Sequence, residues 1–156
     1  MLPENTRKYL LNGIAGAPVI IDWMLQRATE KDYDRRPDPE RFTLREVMAH
    51  LADWEGVWRE RMTAMKTQNR PTLQGYDEGQ WAIDHDYAHA NFAEQQRLFR
   101  DGRAALMDLL RELSPKDWER LGNHTELGPL SIEALAVQIL GHDAYHLRQI
   151  AEWLPT

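Results

Sequence analysis

The sequence reads LGHDAYHLRQIAEWL near its end, with His142 and His146 four residues apart and no helix breaker before Pro155. On a helix, side chains at that spacing leave the backbone about 5–6 Å apart on one face. Two imidazole nitrogens can then converge on one divalent cation at about 2.0–2.1 Å. Ile132, Leu135, Ile139, His142, His146 and Trp153 recur at steps of three and four, with Gln149 filling the remaining place, so both histidines belong to an inward stripe. A second stripe, Val47, His50, Trp54 and Val57, carries a third inward histidine. Buried imidazoles need polar partners, and one shared cation satisfies all three while leaving coordination positions open for water or substrate. The competing reading is that each is a core side chain bonded to a backbone carbonyl, since an i,i+4 pair arises in many helices.

The other histidines carry less signal. His85 and His89, in IDHDYAHANF, form a second i,i+4 pair among small or polar neighbours and read as a partly exposed helix end. His124 falls in a loop, and nothing in the sequence fixes it near the others.

Composition narrows the chemistry. The chain has 156 residues and no cysteine, which excludes a disulfide framework, cysteine-ligated zinc and a thiol nucleophile, so any metal is held by His, Asp or Glu. The net charge of -6, with Lys and Arg scattered among acids, provides no basic stripe for a nucleic-acid backbone. No apolar run approaches the ~18 residues that cross a bilayer, and MLPENTRKYL lacks the apolar core of a targeting segment. These features point to a cytoplasmic protein with no membrane partner, and to a small-molecule substrate or a protein partner. At 42% hydrophobic residues and without repetitive tracts, the chain reads as one globular domain over 1–156.

The elements that must position the histidines follow from periodicity and capping. A helix is expected over about 5–29, bent by Pro18, which lacks the donor its turn needs. RRPDPERF breaks it. Thr43-Leu-Arg-Glu46 has the form of a capping box and predicts a second helix over about 44–66. TQNRPTLQGYDEGQ reads as a long loop, of a length that is often functional. A third helix is expected over about 84–113, with Gly102 a weak point. Ser114-Pro115 opens a short helical piece through Trp118, and Ser131, after the loop GNHTELGPL, caps a last helix over about 132–154. No alternating pattern predicts a strand. The expected class is all-α, a four-helix bundle.

Two carboxylates are placed to assist. Asp143 directly follows His142, where H-E-x-x-H proteases carry their general base, but it is one methylene shorter. It borders the histidine stripe and can act as base, orient a ligand or pair with Arg148. Asp53, three residues after His50, can accept the second proton of a metal-bound imidazole. For both, the competing reading is a helix-surface ion pair. Trp54, Trp58 and Trp81 suit either a small-molecule pocket or the core.

Taken in order, TLREVMAHLADWE, PTLQGYDEGQWA, FRDGRAALMDLL and LGPLSIEALAVQILGHDAYHLRQI resemble the DinB-like (DinB/YfiT) metalloenzyme superfamily over nearly the whole chain. Each motif is weak alone; their order, and the separation of His50 from the HxxxH pair, make the match specific. The resemblance implies a four-helix bundle with long crossover connections and a homodimer. It also implies a divalent metal, zinc or nickel, held by His50, in an H-L-x-D-like stretch, and by His142 and His146. Related proteins are bacillithiol- or mycothiol-dependent S-transferases, which implies S-transfer with a low-molecular-weight thiol of the bacillithiol, mycothiol or glutathione type. Arg103 and Arg148 would then contact the thiol's carboxylates. Two alternatives stand beside that reading: a hydrolase with a metal-activated water, and a non-catalytic, stress-associated binding protein whose Trp and Met residues serve core and dimer interface.

Overall fold

The computed structural model describes residues 2–154, so Pro155 lies outside the described residues. Helices begin where the sequence supplies caps. Thr43 Oγ1 accepts from the Glu46 N–H at 3.2 Å and the Glu46 carboxylate accepts from the Thr43 N–H at 2.8 Å, opening α3 (Leu44–Thr67). Ser131 Oγ accepts from the Ala134 N–H at 3.0 Å and opens α6 (Ile132–Trp153). The first helix, α1 (Glu4–Leu25), continues through Pro18 and stops short of Thr29, which instead caps the single turn α2 (Glu30–Tyr33) through Asp32.

The helix expected over 84–113 is broken near its start, and a further short helix precedes it in the segment expected as a loop. Asp77 caps α4 (Glu78–Asp84), a turn of 3-10 helix covers Tyr87–His89, and α5 runs over Phe92–Arg111. The break has two local causes. Asp86 adopts a left-handed φ of 52°, which aspartate tolerates better than most residues, and the Asn91 side chain accepts from the Glu94 N–H at 3.0 Å to start a new helix.

The expectation of no strands is also corrected. Thr72–Leu73 (β1) pairs in parallel with Leu121–His124 (β2), which pairs antiparallel with Gly128–Ser131 (β3). Gly128, at φ 75°, makes the turn into β3 in a region that side chains with a Cβ rarely adopt. Strands of two to four residues containing Gly, Asn and Pro have no readable alternation; they exist because the two loops meet and pair their backbones.

The four long helices form an all-α bundle with this small sheet at one end. Contacts fix the directions. The Leu2 N–H donates to Glu133, and Gly13 faces Leu140, so α1 and α6 run parallel. Arg45 reaches the Ala90 carbonyl and Arg103 reaches Glu55, so α3 and α5 run parallel. Asp22 meets Arg100 at 3.0 Å while the Ile14 carbonyl meets Arg103, making α1 and α5 antiparallel. Phe42 meets Gln149 and Trp153 while His50 meets His142, making α3 and α6 antiparallel. Helices α1 and α3 therefore lie across one diagonal and α5 and α6 across the other, joined by long crossovers through 26–43 and 112–131. Among the described residues no helix is long and apolar enough to cross a membrane.

The core has two large apolar clusters and a small one of Ala49, Ala82 and Tyr87. One large cluster gathers Trp58, Met62, Met65, Leu106, Leu110, Ile132 and Ile139 towards the sheet; the other gathers Ile21, Leu44, Leu51, Phe99, Ile150 and Trp153 at the opposite end. Between these two lies a layer of buried polar side chains: His50, Glu55, Arg103, Asp143, His146 and Gln149. Gly102 allows α5 to approach α3 at this height, because a Cβ there would stand 2.6 Å from Glu55 Cβ. Alanine is the better helix former by about 1 kcal/mol, yet the clash should dominate. Gly102→Ala is expected to lower the unfolding free energy by about 1–3 kcal/mol in urea titrations.

Candidate metal centre

The polar layer brings together the three histidines from distant positions. His50, fully buried on α3, and His142 and His146 on α6 each present a ligand nitrogen, and these nitrogens all lie within 4.8 Å of one another. His50 Nε2 and His142 Nε2 are 2.8 Å apart. Among the described residues this is the group of three His, Asp or Glu side chains close enough to share an ion.

Their surroundings set tautomer and charge. The Gln149 amide nitrogen donates to the Phe42 carbonyl at 2.8 Å, which turns Gln149 Oε1 towards His146 Nδ1 at 3.1 Å. An acceptor there assigns the proton of His146 to Nδ1 and leaves the Nε2 lone pair for a metal. His50 Nδ1 and His142 Nδ1 are buried without a hydrogen-bond partner. Burial, reinforced by the neighbouring histidines, holds the pKa of His50 well below its ordinary value and brings that of His146 down to about 3. Neutral nitrogen donors suit zinc, nickel and similar ions. The wall is aromatic: Trp54 stacks on His142 at 5.9 Å between ring centres, Trp58 meets its edge, and Phe42 and Tyr145 flank His50 and His146.

The remaining candidates occupy other places. Asp143 is buried and takes both oxygens to Arg103, at 2.6 and 3.0 Å, while Arg148 is 71% exposed and pairs with Glu152. Arg103 is only 2% exposed and stands in the bundle interior, where it also binds Glu55 at 2.9 Å and the Ile14 carbonyl at 2.7 Å, so it does not face an opening. Burial opposes the charge of Arg103, but its two carboxylate partners raise its pKa above the usual arginine range. Burial likewise works against an ionised Asp143; its neighbours His142 and Arg103 prevail and hold it below the usual carboxylate range, whereas burial prevails at Glu55 and pushes it up. Asp53 accepts from Trp81 Nε1 at 2.6 Å and from the Tyr87 hydroxyl at 2.8 Å, so it fastens α4 and the following turn to α3 and leaves His50 without that acceptor. Trp81 stacks on His85, away from the trio. His89 pairs with Asp86 at the surface, and His124 accepts the Glu126 and Leu127 N–H groups in the β2–β3 turn.

Sequence reasoning missed the roles of Gln149, Phe42 and Glu55. A signal existed for Arg103, which occupies an inward position between Phe99 and Leu106, where an arginine implies a buried partner.

Linkage gives the buried histidines a pH signature. An unfolded chain binds protons at these residues below about pH 6.5, whereas folded His146 resists protonation down to about 3, so folding stability is full above that window and is lost as pH falls through it. In chelator-treated protein, the urea midpoint read by circular dichroism should fall between pH 7 and 4, and more shallowly in His146→Gln.

Comparison with known proteins agrees with this architecture. The sequence pattern of the DinB superfamily matches residues 18–150. Over 109 residues the chain is 33% identical to a protein of Oceanobacillus iheyensis named "Putative metal-dependent hydrolase"; the match covers 70% of this chain and 63% of that protein, so the chain spans less than two thirds of this relative's length. Among solved structures it is similar in fold to YfiT from Bacillus subtilis, described as "a probable metal-dependent hydrolase with an unusual four-helix bundle topology". The TM-score is 0.91 at 20% identity, over 98% of this chain and 88% of that one. The family match across most of its length places this chain in the DinB superfamily.

Proposed function

We propose that this protein is a metal-dependent hydrolase of a small molecule, with one divalent ion, zinc or nickel, held by His50, His142 and His146. The observation that carries this reading is the convergence of three imidazoles from two helices, with ligand nitrogens within 4.8 Å of one another. The name of the Oceanobacillus relative supports it. When bound by three histidines, such an ion acts as a Lewis acid on a scissile carbonyl or phosphoryl oxygen and lowers the pKa of water towards about 7. The chain's own residues prepare the place. Gln149 and the Phe42 carbonyl hold His146 in the competent tautomer. Trp54 and Trp58 exclude water from one side, and the indole N–H of Trp54, buried without a partner, is a donor available to a bound molecule. His142, the half-buried member of the trio, marks the edge from which substrate enters.

One observation favours a second reading, S-transfer from a low-molecular-weight thiol. Both oxygens of Asp143 are taken up by Arg103, so that carboxylate is not free to receive a proton. A thiol ionised by the cation needs no such base. A homodimer also belongs to this proposal; light scattering should give twice the 18.3 kDa chain mass, and a stable single-chain mass would overturn it.

The central test is elemental analysis of untagged protein purified without chelators. Near-stoichiometric zinc or nickel is expected in the parent and should be lost in His146→Ala with helical content retained. A parent that takes up neither ion after incubation overturns the reading. In loaded protein, ester or amide turnover independent of added thiol supports hydrolysis, whereas turnover of electrophiles only with thiol supports S-transfer.

A further inference from the structure

We infer that Arg103 is a positioning residue for the proposed metal centre: by clamping Asp143 it holds a carboxylate beside His142 and selects the imidazole tautomer that offers Nε2 to the ion. This rests on the reading of the trio as a metal site.

The clamp consists of specific contacts. Consecutive residues on a helix project about 100° apart, so nothing in α6 alone obliges Asp143 to serve His142. Arg103 supplies the constraint from α5. Nη1 and Nη2 donate to the two Asp143 oxygens at 2.6 and 3.0 Å, Nε donates to Glu55 at 2.9 Å, and Nη1 also donates to the Ile14 carbonyl at 2.7 Å. Acceptors from three other helices leave the guanidinium one orientation, and the fork geometry passes that orientation to the carboxylate. Asp143 Oδ1 is thereby held 4.0 Å from His142 Nδ1, an atom buried without a hydrogen-bond partner.

A negative charge at that distance favours the proton on Nδ1 over Nε2, because the Nδ1–H dipole then points towards it. The two ligands on α6 are thus oriented by different buried groups. His146 relies on the amide of Gln149, and His142 relies on the charge of Asp143.

A comparison of Arg103→Lys with Glu55→Gln tests the assignment. Lysine keeps the charge but lacks the fork that holds both Asp143 oxygens, whereas Glu55→Gln weakens the other anchor and leaves the Asp143 side intact. Three properties would be measured: Zn²⁺ affinity by chelator competition, the visible spectrum with Co²⁺, and the ring nitrogen shifts of His142 in metal-free protein. Arg103→Lys should weaken Zn²⁺ binding by about tenfold or more, alter the Co²⁺ spectrum and lower the Nδ1–H population. Glu55→Gln should lose comparable thermal stability yet keep the parent's affinity and spectrum. Equal loss of affinity in both variants, or an unchanged tautomer in Arg103→Lys, would make the arginine purely structural and overturn the inference. If Arg103→Lys does not fold, Asp143→Asn is read by the same criteria. A parent that binds no Zn²⁺ would overturn the metal-site reading, and the nitrogen shifts would still decide the role of Arg103.

Discussion

Arg103 reaches from α5 into the middle of the bundle and bonds to Asp143 on α6, Glu55 on α3 and the Ile14 carbonyl on α1, so a single guanidinium ties four helices together at one height. Such a charge is tolerable only when fully paired, because removing one partner from a buried ion pair typically costs about 3–5 kcal/mol. The requirement propagates outward. Gly102 must lack a side chain for α3 and α5 to approach closely, and the apolar core must divide into two large clusters to leave room for the polar layer. Ion pairs of this kind are weak evidence for extra stability but specify alignment well, since a helix shifted by one turn would strand a charge.

The histidines occupy the same layer. His50 is six residues after Leu44, and Glu55 follows five residues later; His142 directly precedes Asp143. The register that pairs Arg103 with Asp143 and Glu55 is therefore also the register that brings His50 to the α6 pair. Apolar packing above and below isolates the layer from water, which suppresses protonation of His50 and His146 and leaves their nitrogens basic towards a metal. Fold and site share one set of contacts.

The long crossovers complete the arrangement. Placing α1 and α3 on one diagonal, and α5 and α6 on the other, makes α3 and α6 antiparallel neighbours, which brings His50 of α3 to His142 and His146 of α6. The crossover through 112–131 folds back as β2 and β3 and pairs with β1, which closes one end of the bundle. At the other end the Phe42 carbonyl receives both Gln149 and Trp153, so the approach to α3 also orients a residue that orients His146.

Much of this was legible in the residues themselves. The capping box at Thr43, the serine cap at Ser131 and the 3.6-residue period located α1, α3 and α6, and the inward stripes marked His50, His142 and His146, because local hydrogen bonding and amphipathicity are written within a few positions of each residue. The resemblance carried the bundle's crossover topology. The break at Asp86 was not legible, since a left-handed aspartate is permitted rather than demanded by its neighbours. The three strands were not legible because β1 finds its partner about fifty residues away, the β2–β3 hairpin is too short to show alternation, and both pair through backbone groups common to every sequence. The inward place of Arg103 between Phe99 and Leu106 calls for a buried partner but does not say that Asp143 and Glu55 supply it. Only the packing of four helices decided that they are buried together, because a buried charge is defined by the partners that surround it, and those partners come from helices remote in sequence.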